Sequence, residues 1–408
     1  MHSLATPDDL IELRLMVEEL VCHIFRFDLE SVQQVAPEDV SIRQEVPLGG
    51  DKAFADILVR APGVVGSMAE VDLGYSPERV IESLRRKLAH SCDLFSEIKR
   101  LVLVYEPDPR TWGEVRKTIL DLLPNHWNFE VWDTAELLGR VRETFGVDMQ
   151  EITAARMPQI RAAIDRAKGE YAFGEAAANE PIEAALLWQF SHWRLRQLFA
   201  RTADKRAIVE PANYSAAVVV FADLCGFSGY VRDTPSGNAI RTSLSSFYSK
   251  ARYQIINDGG MLYQVLGDAV IGVFGVPDQP ANYAGRSFEC ARALLDIANS
   301  VSNEWQRRID RLQPVRGGHI GMAIGELQFV SLRPFSRTHL GIIGDAINLA
   351  ARLSNAAQPG EIVISNSLQL QLPYAAQQRL REIDPIEAKN VGRIKAWRYH
   401  HSEPSPSR

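Results

Sequence analysis

The sequence contains few cysteines, and they are not grouped. Cys22, Cys92, Cys225 and Cys290 are the four cysteines of this 408-residue chain, and no two of them form a CxxC pair or a zinc-ligand spacing. A disulfide framework or a structural zinc site is therefore not expected. Scattered reduced thiols are typical of proteins from a reducing compartment. The cysteine pattern predicts a cytoplasmic protein.

Long apolar runs and concentrated positive charge are also missing. No segment approaches the ~20 apolar residues that a membrane-spanning helix needs. The start of the chain, "MHSLATPDDLIELRL", has neither the basic residues nor the apolar core of a signal peptide. The net charge of −6 argues against a protein that coats nucleic acid or binds membranes through basic residues. We expect a soluble protein with neither a nucleic-acid nor a membrane partner.

The composition is that of a globular protein of two or three domains. Residues 1–150 alternate helix-like and strand-like segments, which predicts a small α/β domain, with Ser76 and Pro77 opening one of its helices. Residues 151–212 are predicted to be a helical linker. Residues 213–402 mix strands with helices and predict an α/β (α+β) sheet-and-helix domain. The polar tail 403–408 is expected to be disordered.

The linker carries an apolar stripe. Ile182, Leu186, Phe190 and Trp193 recur at steps of four, four and three residues. This spacing places them on one face of a helix. The face could pack on the chain's own domain or could join two copies as a signalling helix, and the sequence favours neither.

Two aspartates stand at predicted strand ends. Asp223 ends the strand "SAAVVVFADL", and Asp268 lies in a tight Gly267–Asp268 turn between two strands. Each alone would more often cap a turn. Asp223 is followed by "LCGFSG", a turn into a helix whose N–H groups favour a phosphate. Two carboxylates beside such a turn predict a Mg²⁺ or Mn²⁺ site that shares its ion with substrate phosphates.

Further polar residues follow in the last third of the domain. Asn348 and Arg352 are four residues apart in "GDAINLAARLSN" and therefore share one helix face. An amide and a guanidinium on one face can hold a ribose oxygen and a phosphate, although a solvated helix surface would look the same. Lys389, in "EAKNVGRIKAWRY", would in isolation be an ordinary surface lysine.

Taken together, "FADLCGF", "GG…VLGDAVIGVFG", "IGDAINLAARL" and "KNVGRIKAWRY" resemble the class III nucleotidyl cyclases, over roughly residues 213–400. The resemblance implies a ferredoxin-like catalytic domain in a head-to-tail homodimer, with two divalent cations per site. It implies the following roles. Asp223, Leu224 and Asp268 hold the metals, Asn348 and Arg352 are catalytic, and Phe227 and Lys389 bind the nucleoside triphosphate.

The positions that select the base depart from that family. Adenylate cyclases typically have lysine, and guanylate cyclases glutamate, where this chain has Gln264. The partner position holds Gly341, which has no side chain to contact a base, and the bulky Tyr263 adjoins Gln264. This combination resembles the pyrimidine cyclases of Pycsar anti-phage systems. It implies UTP, or else CTP, as substrate and a separate effector protein that responds to the cyclic nucleotide. An adenylate cyclase with an unusual base pocket is the alternative.

The first domain has a second, partial resemblance. "ADILVR…AEVDLGYSPERVIESLRRKL" is similar to the PD-(D/E)xK nucleases, with Asp56 and Glu70 at the acidic positions but Asp72 at the lysine position. The favoured interpretation is solvated strand ends in a degenerate, nuclease-like sensor or regulatory domain. A metal site formed by the three acids, and a nuclease regulated by the cyclase-like domain, are alternatives.

Overall fold

The computed structural model describes residues 7–48, 53–89, 93–174, 181–202, 204–205, 208, 210–234, 236–309, 315–331, 340–388 and 392–401. The chain forms two compact units, Met1–Ala167 and Lys168–Arg408, and each contains one β-sheet. The tail at 403–408 lies outside the described residues. In the described part, no helix is long and apolar enough to cross a membrane.

The first unit is a five-stranded mixed sheet with helices. Its strands are β1 (Ser41–Pro47), β2 (Phe54–Arg60), β3 (Gly66–Val71), β4 (Ile98–Val104) and β5 (Asn128–Trp132), paired in sequence order. Its helices are α1 (Pro7–Phe27), α2 (Pro77–Leu88), α3 (Trp112–Leu122) and α4 (Thr134–Phe145). β1 to β3 are antiparallel, whereas β3, β4 and β5 are parallel. Ser76 caps α2 and Pro77 is its first residue, as the sequence predicts.

Helix α5 (Met157–Phe173) contains the boundary between the units, and the second unit is the larger. Its strands are β6 (Asn213–Leu224), β7 (Met261–Leu266), β8 (Ala269–Phe274), β9 (Gly318–Ser331), β10 (Leu340–Ile343), β11 (Glu361–Ser365), β12 (Arg381–Ala388) and β13 (Gly392–His400). Its helices are α6 (Pro181–Gln189), α7 (His192–Phe199), α8 (Phe227–Asp233), α9 (Gly237–Asn257), α10 (Tyr283–Ile309), α11 (Asp345–Ala356), α12 (Asn366–Gln369) and α13 (Tyr374–Gln377). The predicted α/β class is confirmed in both units.

The sheet of the second unit is covered on both faces. Its strand order is β12-β13-β11-β9-β6-β8-β7, with β10 paired to the far end of β9. Alternate residues of β6 point to opposite faces. Val218 and Val220 belong to the core shared with α9 and α10, whereas Ala217 and Val219 belong to the core shared with α6, α7 and α11. Asp223 continues the second series, so it lies on the α11 face.

The apolar stripe of the predicted linker is interrupted by a helix boundary. α6 ends at Gln189, and Ser191 caps α7 by accepting a hydrogen bond from the Arg194 N–H. Ile182, Leu186 and Phe190 are nevertheless buried in the core on the α11 face of the sheet. The stripe therefore packs within the second unit.

Candidate active site

Asp223 and Asp268 are brought together at one edge of the sheet. The Cα of Asp223 is paired with that of Ala269, so the end of β6 lies beside the turn between β7 and β8. The Leu224 N–H lies 3.3 Å from the Asp268 carbonyl oxygen and 3.1 Å from Asp223 Oδ1. The two-residue turn is possible because Gly267 has a φ of 60°, which favours glycine. Both aspartates are half-buried, and Leu224 could contact a metal only through its main-chain carbonyl oxygen, because its side chain is a buried hydrocarbon.

The electrostatics of this edge favour a cation. Burial, and then the charge of Asp223, raise the pKa of Asp268. Burial and the charges of Asp223 and Asp268 raise the pKa of the Cys225 thiol to about 12, so it stays protonated. Two neighbouring carboxylates and one main-chain oxygen fit a hard cation that completes its coordination with water and phosphate oxygens. In the described residues, no group of three or more His, Cys, Asp or Glu side chains could hold a metal alone.

The turn that follows Asp223 leads into helix α8. Gly226 precedes the helix with a φ of 73°, and Phe227 is its first residue. The Phe227 ring packs against Tyr230 and Trp305 in the core, with centroid distances of 5.9 and 5.7 Å. A contact of Phe227 with substrate would therefore use its main chain.

Helix α11 presents Asn348 and Arg352 away from the core. Ala346, Ala350 and Leu353 are buried against the sheet, whereas Asn348 is exposed and Arg352 is half-buried. The helix approaches β9 closely because Gly321 lies beneath it, where a Cβ would overlap the main chain of Ala350. Nη1 of Arg352 is buried and has no hydrogen-bond partner in the described part of the chain. A buried, unpaired guanidinium nitrogen indicates a site for an acceptor that is not part of the chain.

Tyr263 and Gly341 belong to neighbouring segments. Strand β7 has a bulge at Tyr263. Leu262 pairs with Gly272 and Gln264 pairs with Ile271, so Tyr263 is the extra residue between two consecutive pairs. The Tyr263 hydroxyl donates to the Ile342 carbonyl oxygen at 3.4 Å and accepts from the Ile342 N–H at 3.3 Å. Tyr263 packs beside the core on the α11 face, and Gln264 pairs with a residue of that core. The bulge thus turns two consecutive side chains towards the α11 face.

Two residues remain: Lys389, which the sequence predicts in the site, and His319, which it does not. Lys389 lies outside the described residues. His319, at the start of β9, was not predicted, although its Nε2 lies 3.2 Å from Asp223 Oδ2. Burial lowers the pKa of His319, but the hydrogen bond to Asp223 and its charge outweigh burial and raise it overall. His319 is a lone histidine at the start of a strand, and the sequence around it does not indicate a partner 96 residues away.

The acids of the first unit are not solvated strand ends, and that interpretation is wrong. Asp56, Glu70 and Asp72 are 4%, 0% and 2% exposed. Lys87, from α2, lies 3.1 Å from Asp56 Oδ1 and also forms a short ion pair with Glu70. Arg14 Nη2 lies 3.4 Å from Asp56 Oδ2. A lysine of the following helix therefore lies among these acids.

Comparisons with known proteins concern the second unit. Residues 209–401 match the family model of the adenylate and guanylate cyclase catalytic domain. The adenylyl cyclase CyaB from P. aeruginosa is 20% identical, with a TM-score of 0.42, over 48% of this chain and 100% of that one. The guanylyl cyclase Cya2 is 22% identical, with a TM-score of 0.39, over 46% of this chain and 92% of that one.

Curated relatives are uncharacterized proteins of Mycobacterium tuberculosis and Mycobacterium bovis. Those of 24% identity align over 234 residues, which is 53% of this chain. The chain covers only 40–42% of the length of these relatives.

Proposed function

We propose that the domain at residues 209–401, which matches the model of the adenylate and guanylate cyclase catalytic domain, cyclises a pyrimidine nucleoside triphosphate. The preferred substrate is UTP, and the products are 3′,5′-cyclic UMP and pyrophosphate. The reaction takes place in a homodimer with two Mg²⁺ or Mn²⁺ ions per site. It needs no nucleophile from the protein, because the substrate's own 3′-hydroxyl attacks its α-phosphorus.

The paired carboxylates are the observation that supports this proposal most strongly. Asp223 and Asp268 lie at adjoining strand ends, and the charge of one raises the pKa of the other. Asp223 and Asp268 would hold a divalent cation that offsets this repulsion and shares its coordination with the triphosphate. When bound, the ions lower the pKa of the 3′-hydroxyl and neutralise the leaving pyrophosphate.

The other side chains act on the nucleotide. Arg352 offers an unpaired Nη1 to a phosphoryl oxygen, where charge develops during the transfer. Asn348, one turn earlier on the same face of α11, hydrogen-bonds the ribose. Phe227 contributes its main-chain N–H to a phosphate, and Lys389 binds the terminal phosphates.

The base pocket carries the proposal of a pyrimidine. Gln264 offers both a donor and an acceptor, whereas Gly341 offers no side chain. The Tyr263 ring is tied to β10 through Ile342, next to Gly341 in the chain, and we propose that it restricts the room for a purine. A site that leaves the polar edge of a purine unpaired disfavours that base.

Product identification tests the proposal. The purified protein is incubated with ATP, GTP, CTP and UTP in separate reactions with Mg²⁺ or Mn²⁺, and the products are identified by mass. We expect cyclic UMP, with cyclic CMP as the second product. Cyclic AMP as the main product would establish the adenylate cyclase alternative, and nucleoside diphosphates alone would overturn the cyclase assignment.

The homodimer is tested by complementation. If Asp223 and Arg352 of one site belong to opposite subunits, Asp223→Ala and Arg352→Ala are each inactive, but mixing them creates heterodimers with one intact site. Activity should return after subunit exchange. Absence of activity in verified heterodimers would place the whole site within one chain.

The proposed cellular role rests on the resemblance of Tyr263, Gln264 and Gly341 to the base-selecting positions of the Pycsar pyrimidine cyclases. Cyclic UMP is a diffusible signal, and we propose that it activates a separate effector protein during bacterial anti-phage defence. Phage infection should raise cyclic UMP in cells that carry the wild-type protein but not in cells that carry Asp223→Asn. An unchanged cyclic UMP level during infection would contradict this role.

A further inference from the structure

His319 holds the carboxylate of Asp223 from the neighbouring strand. The Cα atoms of the two residues are paired across β6 and β9. Asp223 Oδ1 accepts the Leu224 N–H at 3.1 Å, and Oδ2 lies 3.2 Å from His319 Nε2. Each carboxylate oxygen thus has one partner from the chain and retains a further lone pair. These two contacts fix the orientation in which the carboxylate meets a ligand.

The same imidazole is anchored on its other side. His319 Nδ1 lies 3.2 Å from the carbonyl oxygen of Ala357, the C-cap residue that directly follows α11. Both partners of the ring are oxygen atoms that can accept a hydrogen bond. The negative end of a helix favours a donor at this position. His319 therefore links Asp223 to the helix that carries Asn348 and Arg352.

We propose that His319 is a positioning residue of this site, which fixes the Asp223 carboxylate for a divalent cation. The proposal rests on the proposed function, because it takes Asp223 as a metal ligand. Residues that hydrogen-bond a metal ligand set its orientation, and their loss typically weakens metal binding about 10–100-fold. His319 need not touch the nucleotide to have this effect.

Two amide substitutions separate the two contacts of the ring. In His319→Gln the side-chain amide nitrogen reaches the position of Nε2, towards Asp223. In His319→Asn it reaches only the position of Nδ1, towards Ala357. His401→Ala is the matched control, because His401 Nε2 lies 2.7 Å from Asp296 Oδ1 in the same unit, with exposure similar to that of the His319–Asp223 pair.

The measurement is the Kd of Mn²⁺, obtained by electron paramagnetic resonance of the full chain with 3′-deoxy-UTP, which cannot cyclise, and in parallel with 3′-deoxy-ATP. We expect His319→Ala and His319→Asn to weaken Mn²⁺ binding about 10–100-fold, and His319→Gln to stay within about threefold of wild type. His401→Ala should bind as wild type does. Thermal unfolding checks that each variant is folded. If His319→Ala does not fold, the comparison of His319→Gln with His319→Asn still tests the proposal.

Two results would overturn the positioning role. One is wild-type Mn²⁺ affinity in His319→Asn, and the other is equal weakening in folded His319→Gln and His319→Asn. The parallel variant Asp223→Asn separates this failure from a failure of the proposed function. If Asp223→Asn also binds Mn²⁺ with wild-type affinity, the metal assignment itself is wrong.

Discussion

Each unit of this protein brings acidic side chains together at a sheet, but the two clusters are neutralised differently. In the first unit, Lys87 contacts both Asp56 and Glu70, and all three side chains are buried. In the second unit, Asp223 and Asp268 are half-buried at strand ends, and Asp223 contacts His319 at 3.2 Å. The first cluster is neutralised by a buried ammonium, whereas the second lies at a partly exposed edge where Asp223 contacts His319 and a cation from solution can still bind.

The difference shows why acidic residues at strand ends are ambiguous in a sequence. A buried carboxylate that pairs with a lysine forms a network whose disruption leaves an uncompensated charge. Neighbouring carboxylates at a partly exposed edge repel each other until a cation binds. The first arrangement contributes mainly to the fold, and the second contributes to binding and chemistry.

The largest expected effect concerns the open cluster. Asp223→Asn or Asp268→Asn should reduce kcat at least about 10⁴-fold, or about 5 kcal/mol, because two metal ions each contribute several kcal/mol to the transfer. The unfolding midpoint should hardly change, because both carboxylates are partly exposed and the charged partner of Asp223 is the partly exposed His319. Product formation and thermal unfolding of the same preparations check this. Wild-type activity in either variant would contradict the two-metal site.

The closed cluster should respond in the opposite way. Lys87→Met removes the ammonium from between Asp56 and Glu70 and should lower the free energy of unfolding by about 3–5 kcal/mol, because buried carboxylates lose their counter-charge. The matched control is Arg60→Met, which breaks the exposed Arg60–Glu97 pair at 2.9 Å and should cost at most about 1 kcal/mol. Urea unfolding measures both. If both substitutions lower the free energy of unfolding equally, the burial of Lys87 does not explain its contribution to stability.

Asp72 makes the stability of the first unit depend on pH. Burial, and then the charge of Asp56, raise its pKa to about 6. Because the folded form then holds a proton that the unfolded form has released, this contribution to stability is present below about pH 4 and is lost as pH rises to about 6. The Asp72→Asn variant should lack this pH-dependent loss of stability. At pH 7 its free energy of unfolding should be about 1–3 kcal/mol higher than that of wild type. Urea unfolding of both proteins between pH 4 and 7 tests this prediction. If the free energy of unfolding of wild type and of Asp72→Asn depends on pH in the same way, the prediction is wrong.

The base pocket should show the smallest effect. Tyr263→Ala opens the space beside Gly341 and should lower the UTP-to-ATP ratio of kcat/KM about tenfold, or about 1.4 kcal/mol. Tyr263→Phe keeps the ring and loses only its hydroxyl contacts with Ile342, so it should retain most of the preference. Gln264→Lys should weaken UTP without creating a good adenylate cyclase, because Gly341 still offers no partner. Measuring kcat/KM for UTP and ATP tests all three variants. An unchanged UTP-to-ATP ratio in Tyr263→Ala would show that the Tyr263 ring does not select the base.

Features that depend on local sequence were predictable. The strand that ends near Asp223, the Gly267–Asp268 turn and the helix from Asp345 follow from hydrophobic patterns and turn residues. Contacts between distant segments were not. Lys87 meets Asp56 across 31 residues, and His319 meets Asp223 across 96. The bulge at Tyr263 depends on strand register, which the pattern of this hairpin does not specify.

We propose that the cyclase-like domain at residues 209–401 selects a pyrimidine nucleotide. The most direct test is kcat/KM of the unmodified full chain for UTP, CTP, ATP and GTP at saturating Mn²⁺. We predict that UTP is the best substrate, that CTP is second, and that both purines are at least about tenfold poorer, which corresponds to about 1.4 kcal/mol of transition-state preference. If ATP is instead preferred by the same factor, the base pocket does not select a pyrimidine and the protein is an adenylate cyclase.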